Sequence, residues 1–323
     1  MTTIRSHYLP RTYLKHFLHA NVLFMYKKGE KFFKDMNIAS DDRILEVRGE
    51  NGLLNIGIEK HLYDPEIEGI SSDDLETIFQ ELGENAYDGV IAEIETLHNG
   101  SPIPASVKNP LCLLMAAMRV RTPLFKKEIE EMDEQMKKHL MALNYKRMTV
   151  EEVRQHAKEV TGKEITTEFA TDMRDSFINK DYTVKYPNAY FIKHALLLVD
   201  EHINIFNQMT MTICKSNGRF FITNDNPLVY FVPPEKVNVY NPPKGLVTPH
   251  CEVFFPLTKN LAVHMTWKKE EEEIKEVSRE VIDTFNYNLS HNSWEYIFAP
   301  VKINELKLFT QEYIPYPFKF AIH

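Results

Sequence analysis

The opening segment of the chain carries residue types that could do acid–base chemistry on a phosphate. Its first 28 residues contain no Asp or Glu, and the run from Ser6 to Phe17 (SHYLPRTYLKHF) interleaves imidazole, phenol and cationic side chains. Cations bind phosphate, aromatic rings stack on bases, and imidazole transfers protons near neutral pH. The composition predicts an anionic ligand at this segment and leaves its identity open.

Two histidines of this segment are candidates for proton transfer. His7 lies just before Tyr8 and Pro10, and the fixed φ of proline stiffens the backbone that would hold a catalytic imidazole. Arg11 and His16 stand five positions apart, about 140° apart on a helix, which resembles the Arg-x4–6-His motif of the HEPN ribonucleases. We favour His7, whose structural alternative is a ring bonded to a buried carbonyl group.

Asp225 is the candidate for the second half of a site. It follows a predicted strand in the sequence Asn224-Asp225-Asn226-Pro227, where a strand end would fix a carboxylate and expose it. Alternatively, Asn and Asp before Pro form turns by bonding their own backbone. We predict His7 and Asp225 as catalytic residues. The predicted substrate-binding residues are Tyr8, Arg11, Tyr13, His16, Arg121 and Asn224.

Arg121 precedes Thr122-Pro123, where a helix is interrupted and a side chain could turn inward. The structural alternative is a salt bridge to an acid of the preceding helix, with Glu76, Glu81 and Glu84 as the candidates. We favour that alternative. No phosphate loop, dinucleotide fingerprint or zinc-protease motif occurs in the chain. The sequence leaves open whether a divalent metal ion takes part.

The charge of the chain is uneven. The net charge is −8, yet residues 1–34 hold seven Lys and Arg against Glu30 alone. A basic end on an acidic body would steer an anion, such as a nucleic acid, to one place; alternatively, the charges are spread over the surface. We expect no membrane segment, because no apolar run approaches about 20 residues. Without a recognisable leader, and with three widely spaced cysteines, we expect a cytoplasmic protein with reduced thiols.

Hydrophobic periodicity divides the chain into three parts. The apolar pattern of residues 1–66 predicts a hairpin, with Val22–Tyr26 and Lys31–Phe33 as its arms. Residues 70–208 predict helices, including one from Ser71 to about Leu97 and one beginning near Asn109-Pro110. Pro123 is expected to kink or interrupt the second of these. Further predicted helical features are the stripe Ile129, Met132, Met136 and Leu140, the capping box Thr149–Glu152, and a helix over about 189–208.

Residues 209–323 predict mainly strands. A hairpin is expected over 209–223, with its turn at Asn217-Gly218. Strands follow at 252–257 and 261–265, then a solvated charge run over 268–276, and a last helix carrying Val277 and Leu289. The fold class is α+β, a helical middle with terminal β-hairpins that share one sheet, in a single domain over residues 1–323.

The order of these pieces resembles the bacterial family called domain of unknown function 4238. Asn224 stands where that family usually has Ser, and Thr12 where it usually has an aromatic residue. The resemblance implies a bacterial module, often found in defence or mobile-element contexts, and implies no particular activity. The matching segments are 7–17, 61–63, 118–123, 221–227, 254–258, the helix around Asn286, and 296–298.

Three hypotheses of function follow from the sequence. The first is a phosphodiester hydrolase, of which a ribonuclease is one form, in which the basic, aromatic N-terminus holds the nucleic acid. The second is a non-catalytic sensor or binding module for an anionic ligand or an acidic protein segment. The third makes the two motifs around His7 and Asp225 determinants of the fold. Acid–base catalysis requires His7 and Asp225 to share one cleft.

Overall fold

The computed structural model of the protein describes residues 5–28, 44–63, 72–237 and 245–303, together with Leu306. Helices dominate the middle of the chain, as predicted. In chain order the helices are α1 (Arg11–Leu14), α2 (Gly49–Gly52), α3 (Ser72–Phe79), α4 (Asn85–Thr96), α5 (Ala105–Val120), α6 (Pro123–Arg147), α7 (Val150–Thr161), α8 (Thr167–Asn179), α9 (Asn188–Gln208) and α10 (Arg279–His291).

The strands form three sheets. The strands are β1 (Arg5–His7), β2 (Val22–Lys27), β3 (Ile44–Arg48), β4 (Ile58–Lys60), β5 (Thr210–Ser216), β6 (Thr223–Asn224), β7 (Val229–Phe231), β8 (Glu252–Pro256), β9 (Leu261–Thr266), β10 (Glu273–Val277) and β11 (Tyr296–Ala299). Their orders are β1-β4, β10-β5-β9-β8-β7 and β3-β2-β11-β6. All neighbours pair antiparallel except β10 and β5.

The two ends of the chain meet in one sheet, as the sequence predicted. Strand β2 pairs with β3 on one side and with β11 on the other, so that Met25 lies opposite both Leu45 and Phe298. The first arm of the predicted N-terminal hairpin is therefore a strand, but its partners are Ile44–Arg48 and β11 and not the predicted second arm. The predicted arm Lys31–Phe33 lies outside the described residues. The α+β fold class is confirmed.

Local signals placed several helix ends correctly. Thr149 accepts the backbone N–H of Glu152, whose carboxylate accepts the N–H of Thr149, which is the predicted capping box. Pro123 occupies the first turn of α6, and Thr122 caps that helix. A proline there lacks only an N–H that would have no helical partner. The interruption after Arg121 is therefore confirmed.

The hairpin predicted over 209–223 is wrong. Strand β5 pairs with β9 and β10, whereas the residues after the Asn217-Gly218 turn join a different sheet through β6. Met211 and Ile213 alternate towards one core, but Phe221 and Ile222 are consecutive and both fully buried in a second core. The residues after the turn therefore pack into the second core and pair with β11 instead of returning beside β5.

The charge run at 268–276 also differs from the prediction of a purely solvated segment. Its last residues belong to β10, an edge strand that lies parallel to β5. Ile274 is fully buried there, while its neighbours Lys275 and Glu276 are exposed. Charged side chains on an edge strand are compatible with backbone pairing and discourage further strand addition.

Side chains from the two terminal parts and the middle meet in one core. Tyr13 is fully buried, and its hydroxyl lies 2.7 Å from Thr223 Oγ1 and donates to the carbonyl oxygen of Pro256 at 2.9 Å. Tyr87 of α4 donates its hydroxyl to the carbonyl of Leu257. These bonds satisfy the phenols inside an apolar region, where an unpaired polar group would be costly. They connect the opening motif to the C-terminal strands.

Part of the predicted apolar stripe of α6 faces solvent. In α6, Ile129 is buried, but Met132, Met136 and Leu140 of the predicted stripe are exposed. Among the described residues, no helix combines the length and the hydropathy needed to cross a bilayer.

The helix predicted from Ser71 to Leu97 is divided by a π-helical turn, Gln80–Glu84, which we call the π segment. Gly83 within it has φ +145°, and a Cβ atom there would lie 3.0 Å from the backbone of Leu114 in α5. The glycine thus allows both the unusual backbone and the close approach of α5. Gly89 of α4 has open space around its Cβ position.

We expect Gly83→Ala to lower the free energy of unfolding by about 2–4 kcal/mol, because it combines backbone strain with overpacking. The matched control Gly89→Ala should raise it by up to about 1 kcal/mol, because alanine is the better helix former. Urea denaturation of both variants measures the difference. Equal effects at the two positions would contradict the proposed constraint at Gly83.

Candidate functional site

A cleft of about 330 Å³ opens beside the N-terminal motif. It contains imidazole, guanidinium, ammonium, carboxylate and amide groups, a mixture suited to a polar or charged ligand. The volume is near the lower end of the range of about 300–1,000 Å³ for small-molecule sites. The lining residues are His7, Pro10, Arg11, Thr12, Lys15, Glu50, Leu53, Glu76, Gln80, Glu84, Asn85 and Arg121.

The backbone around His7 is held by a short sheet and by a close approach to Gly57. His7 pairs with Ile58 in the β1–β4 ladder, and the N–H groups of Tyr8 and Leu9 both donate to the carbonyl of Gly57. Gly57 has φ +64°, and a Cβ there would lie 2.5 Å from Leu9 Cβ. Any larger residue would push the two segments apart, so Gly57 fixes the position from which His7 reaches the cleft.

The opposite wall comes from α3, the π segment and the start of α4. Glu76 lies near His7, with its Oε1 atom 3.4 Å from the His7 backbone nitrogen. Gln80, Glu84 and Asn85 follow along the same wall. A π turn shifts the register of the side chains that follow it, and such turns are frequent at functional sites. The interruption at Gly83 therefore coincides with the polar wall of the cleft.

Arg121 contacts both walls of the cleft. Its side chain is almost completely buried, and its guanidinium donates to the Glu84 carboxylate and to the carbonyl of His7. The ring of Phe79 lies against it, 5.1 Å from centroid to Cζ. Burial alone would lower the pKa of Arg121, but Tyr63 and Glu84 outweigh burial and raise it. Arg121 is therefore a fixed cation, and the salt bridge to Glu84 is one the sequence predicted.

The other two cations of the cleft differ in their partners. Lys15 forms an ion pair with Asp88 at 2.6 Å, which engages its ammonium group. The Arg11 side chain is exposed and has no ion-pair or hydrogen-bond partner within the described residues. Two buried polar atoms, Thr12 Oγ1 and Arg121 Nε, also have no partner among those residues. Arg11 is consequently the cation best placed to receive an anionic ligand.

His16 and Tyr13 do not line the cleft. The Nε2 atom of His16 lies 2.8 Å from Asp88 Oδ1, and its ring packs edge-on against Tyr87. Tyr13 is in the core described above. The Arg11–His16 spacing therefore does not place both side chains in this cleft, because α1 ends after one turn and the chain tightens into a 3-10 turn at Lys15–Phe17.

Asp225 also lies outside the cleft lining. Its buried carboxylate accepts backbone N–H groups of Trp294, Glu295 and Tyr296 at 2.7, 2.5 and 2.8 Å. Burial raises the pKa of Asp225 to about 6, against the lowering effect of these N–H donors. The geometry favours the hypothesis that this motif is a determinant of the fold, because the Asp225 carboxylate fixes the start of β11 across the sheet.

The neighbours of Asp225 have similar roles. Asn224 is fully buried, donates to the carbonyl of Leu289 and accepts the N–H of Asn226. Tyr8 is also buried, and its pKa is raised well above the usual value by burial and by the charge of Asp225. Of the eight residues that the sequence selected, the cleft contains His7, Arg11 and Arg121.

The polar residues of the cleft that are not among the predicted site residues are Thr12, Lys15, Glu50, Glu76, Gln80, Glu84 and Asn85. The last four form the wall opposite His7, and of these Glu76 and Glu84 are predicted only as salt-bridge partners of Arg121. The signal that could have identified this wall is Gly83, a glycine inside an otherwise regular helical pattern, which often marks a packing or functional constraint.

Among the described residues, the basic side chains of the opening segment are divided between two places. Arg11 and Lys15 line the cleft, whereas Lys27 lies over the ring of Tyr296 and Lys28 donates to the carbonyl of Ser293. Within the same residues, no three His, Cys, Asp or Glu side chains are grouped as a metal ion would require.

Asp225→Asn should lower the free energy of unfolding by about 2–4 kcal/mol, because its amide NH2 would face backbone N–H donors and leave buried groups unpaired. Asp172→Asn, an exposed position on α8, is the control and should change it by less than about 0.5 kcal/mol. Chemical denaturation at pH 7 measures both. An Asp225→Asn variant as stable as the parent would contradict this structural role.

Comparison with known proteins agrees with the resemblance drawn from the motifs. A family model described as a protein of unknown function (DUF4238) matches residues 5–302, which includes both terminal strands of the shared sheet and every residue of the cleft. No curated protein and no solved structure matches the chain. The protein belongs to the family described as protein of unknown function DUF4238.

Proposed function

We propose that the cleft is the active site of a phosphodiester hydrolase. The observation that supports this most is the presence of an imidazole, a nearby carboxylate and an unpaired guanidinium, those of His7, Glu76 and Arg11, around one cavity. Phosphodiester cleavage needs a base for the nucleophile, an acid for the leaving oxygen and a cation for the phosphate. Together, His7, Glu76 and Arg11 supply two proton-transfer groups and one cation of these kinds.

In this proposal His7 and Glu76 divide the proton transfers. One accepts the proton of the attacking oxygen, from water or a ribose 2′-hydroxyl, as the new P–O bond forms. The other protonates the leaving oxygen as the old P–O bond breaks. Glu76 thus takes the place that the sequence assigned to Asp225, whose carboxylate is engaged by three backbone N–H groups.

The phosphate itself is assigned to Arg11. Its exposed guanidinium can approach a phosphate in bidentate geometry, and the Thr12 hydroxyl and Arg121 Nε–H offer further donors. Because a cleft of about 330 Å³ is small, we propose a short single-stranded segment or a nucleotide end as the substrate. RNA is included because a ribose hydroxyl can serve as the nucleophile.

The proposed setting is the bacterial cytoplasm, in a defence or mobile-element context, as the family resemblance implies. The alternative function is a non-catalytic module that binds an anionic ligand in the same cleft. Two of the cleft's three cations, Lys15 and Arg121, already pair with acids of the protein. The cleft therefore offers little unpaired positive charge, which is compatible with binding of a small anion without turnover.

We expect His7→Gln and Glu76→Gln each to reduce cleavage of labelled single-stranded RNA or DNA by about 100-fold or more, because each removes a proton-transfer group. His16→Gln is the matched control from the same motif and should retain activity, since His16 lies outside the cleft lining. Assays with and without Mg²⁺ or Mn²⁺ cover both metal-dependent and metal-independent chemistry.

Full activity in His7→Gln, or equal loss in His16→Gln, would refute the assignment of the site. If the parent protein binds the labelled strand without cleaving it, and Arg11→Ala abolishes that binding, the binding-module alternative replaces the hydrolase.

A further inference from the structure

A second cavity, of about 360 Å³, lies at the surface near the end of β5. It shares no lining residue with the cleft. Its lining includes Glu95 of α4, Lys215 of β5, Arg219 and Phe220 of the turn that follows β5, and Asn260 just before β9. We call it the second cavity, and the function proposed for the cleft does not yet assign it a ligand.

The stretch from Arg11 to His19 connects the cleft with the second cavity. Arg11 lines the cleft at one end. At the other end, the ring of His19 lies 4.7 Å from the ring of Phe220, which lines the second cavity. Between these ends, the backbone N–H of Lys259 donates to the carbonyl of His16 at 3.2 Å. The two cavities therefore flank one short segment of the chain.

Two ammonium groups beside the second cavity are not neutralised by an acid. Lys215 Nζ donates to the carbonyl of Leu97 at 2.5 Å, and Lys259 Nζ donates to the carbonyl of Leu18 at 2.6 Å. Within the described residues neither lysine forms an ion pair, although Glu276 is paired with Lys215 in the β10–β5 register. A carbonyl orients an ammonium group without cancelling its charge, so both lysines retain N–H donors for a phosphate.

The other charges at the second cavity limit what it can bind. Arg219 is paired with Asp283 at 2.5 Å, and the Glu95 carboxylate is also part of the lining. The available positive charge is therefore mainly that of Lys215 and Lys259. Two ammonium groups suit a short stretch of phosphate backbone, bound with modest affinity and a measurable dependence on salt.

The rings of His19 and Phe220 select among anionic ligands. His19 is exposed and Phe220 is half-buried, so both rings are accessible from the surface. Bases of a single strand stack on such rings whatever their sequence, whereas the bases of a duplex stack on one another. An acidic peptide would use the two ammonium groups and would bring no base to the rings. The combination favours a single-stranded nucleic acid.

We propose that the second cavity binds the part of a single-stranded nucleic acid that extends beyond the cleft. Its phosphates contact Lys215 and Lys259, and a base stacks on the rings of His19 and Phe220. The cleft, at about 330 Å³, is small, so a longer strand needs a further surface, and the segment from Arg11 to His19 leads to this one. The inference rests on the proposed function in one respect, which is that the same strand occupies the cleft.

The length of the bound strand tests this extension. Fluorescence anisotropy would compare a labelled dinucleotide with a labelled single strand of about ten nucleotides, a length within the usual range of single-strand sites. The full chain would carry His7→Gln, which prevents cleavage during the measurement. We expect the longer strand to bind at least about tenfold more tightly, because it reaches both cavities and adds the phosphate contacts of the second one.

Removal of the two ammonium groups tests their role. Lys215→Gln combined with Lys259→Gln should weaken binding of the longer strand at least about tenfold and leave dinucleotide binding unchanged. The slope of log Kd against log salt concentration should fall by about 1.4, since each phosphate contact on a single strand contributes about 0.7. Lys146→Gln combined with Lys163→Gln, at exposed positions in and beyond α6 and α7, is the control for net charge and should bind both strands like the parent.

Removal of one ring tests stacking. Phe220→Leu should weaken binding of the longer strand at least about fivefold, because a base loses its stacking partner. Phe169→Leu, at an exposed position of α8, is the matched control and should have no effect. Circular dichroism checks that the variants are folded, and the length and salt dependence of the parent provide a test that needs no variant of the second cavity.

The outcomes separate this inference from the function of the cleft. Equal affinity for both strands, or a double lysine variant that binds the longer strand like the parent, would overturn the inference. Competition by an acidic peptide as effective as that by an unlabelled strand would overturn it as well. A strand that shows the expected length dependence but is not cleaved by the parent supports the second cavity and refutes only the hydrolase. Cleavage that depends on His7 but not on the two lysines refutes only the second cavity.

Discussion

The buried cation Arg121 connects the parts of the chain that form the cleft. Its guanidinium reaches Glu84 of the π segment and the carbonyl of His7, while its own carbonyl accepts the Tyr63 hydroxyl at 2.9 Å. Loss of one partner from a buried ion pair costs about 3–5 kcal/mol, because the remaining charge is left uncompensated. The position of His7 relative to the polar wall is therefore set by an interaction whose loss would be energetically costly.

The composition of the opening motif reflects two tasks that it performs at once. Its apolar and phenolic residues are buried in the core, and its basic and imidazole residues are distributed between the cleft and Asp88. The cleft is thus built on the same short segment that anchors the N-terminus to the C-terminal strands, through Tyr13 and its bonds to Thr223 and Pro256. A rigid frame of this kind suits a site whose groups must stay in register.

Local and periodic signals were sufficient for the helical middle, the capping box and the shared terminal sheet, because these depend on neighbouring residues or on strong apolar patterns. Strand partners were less predictable. The Asn217-Gly218 turn favours a hairpin locally, but burial of Phe221 and Ile222 in a second core decides the outcome. For the site, composition pointed to His7 and Arg11. The position of Glu84 and Asn85 beside Glu76 and Gln80 depends on the π turn at Gly83 and on its contact with α5, which regular helical periodicity does not encode.

The proposed function requires an anionic ligand to bind in the cleft between His7 and the π segment. A crystal structure of the His7→Gln variant with a short single-stranded oligonucleotide would show where the strand binds, because slowed turnover should preserve it. We expect a phosphate within hydrogen-bond distance of the Arg11 guanidinium, with the scissile bond between positions 7 and 76. A strand bound elsewhere, with this cleft occupied only by water, would contradict it.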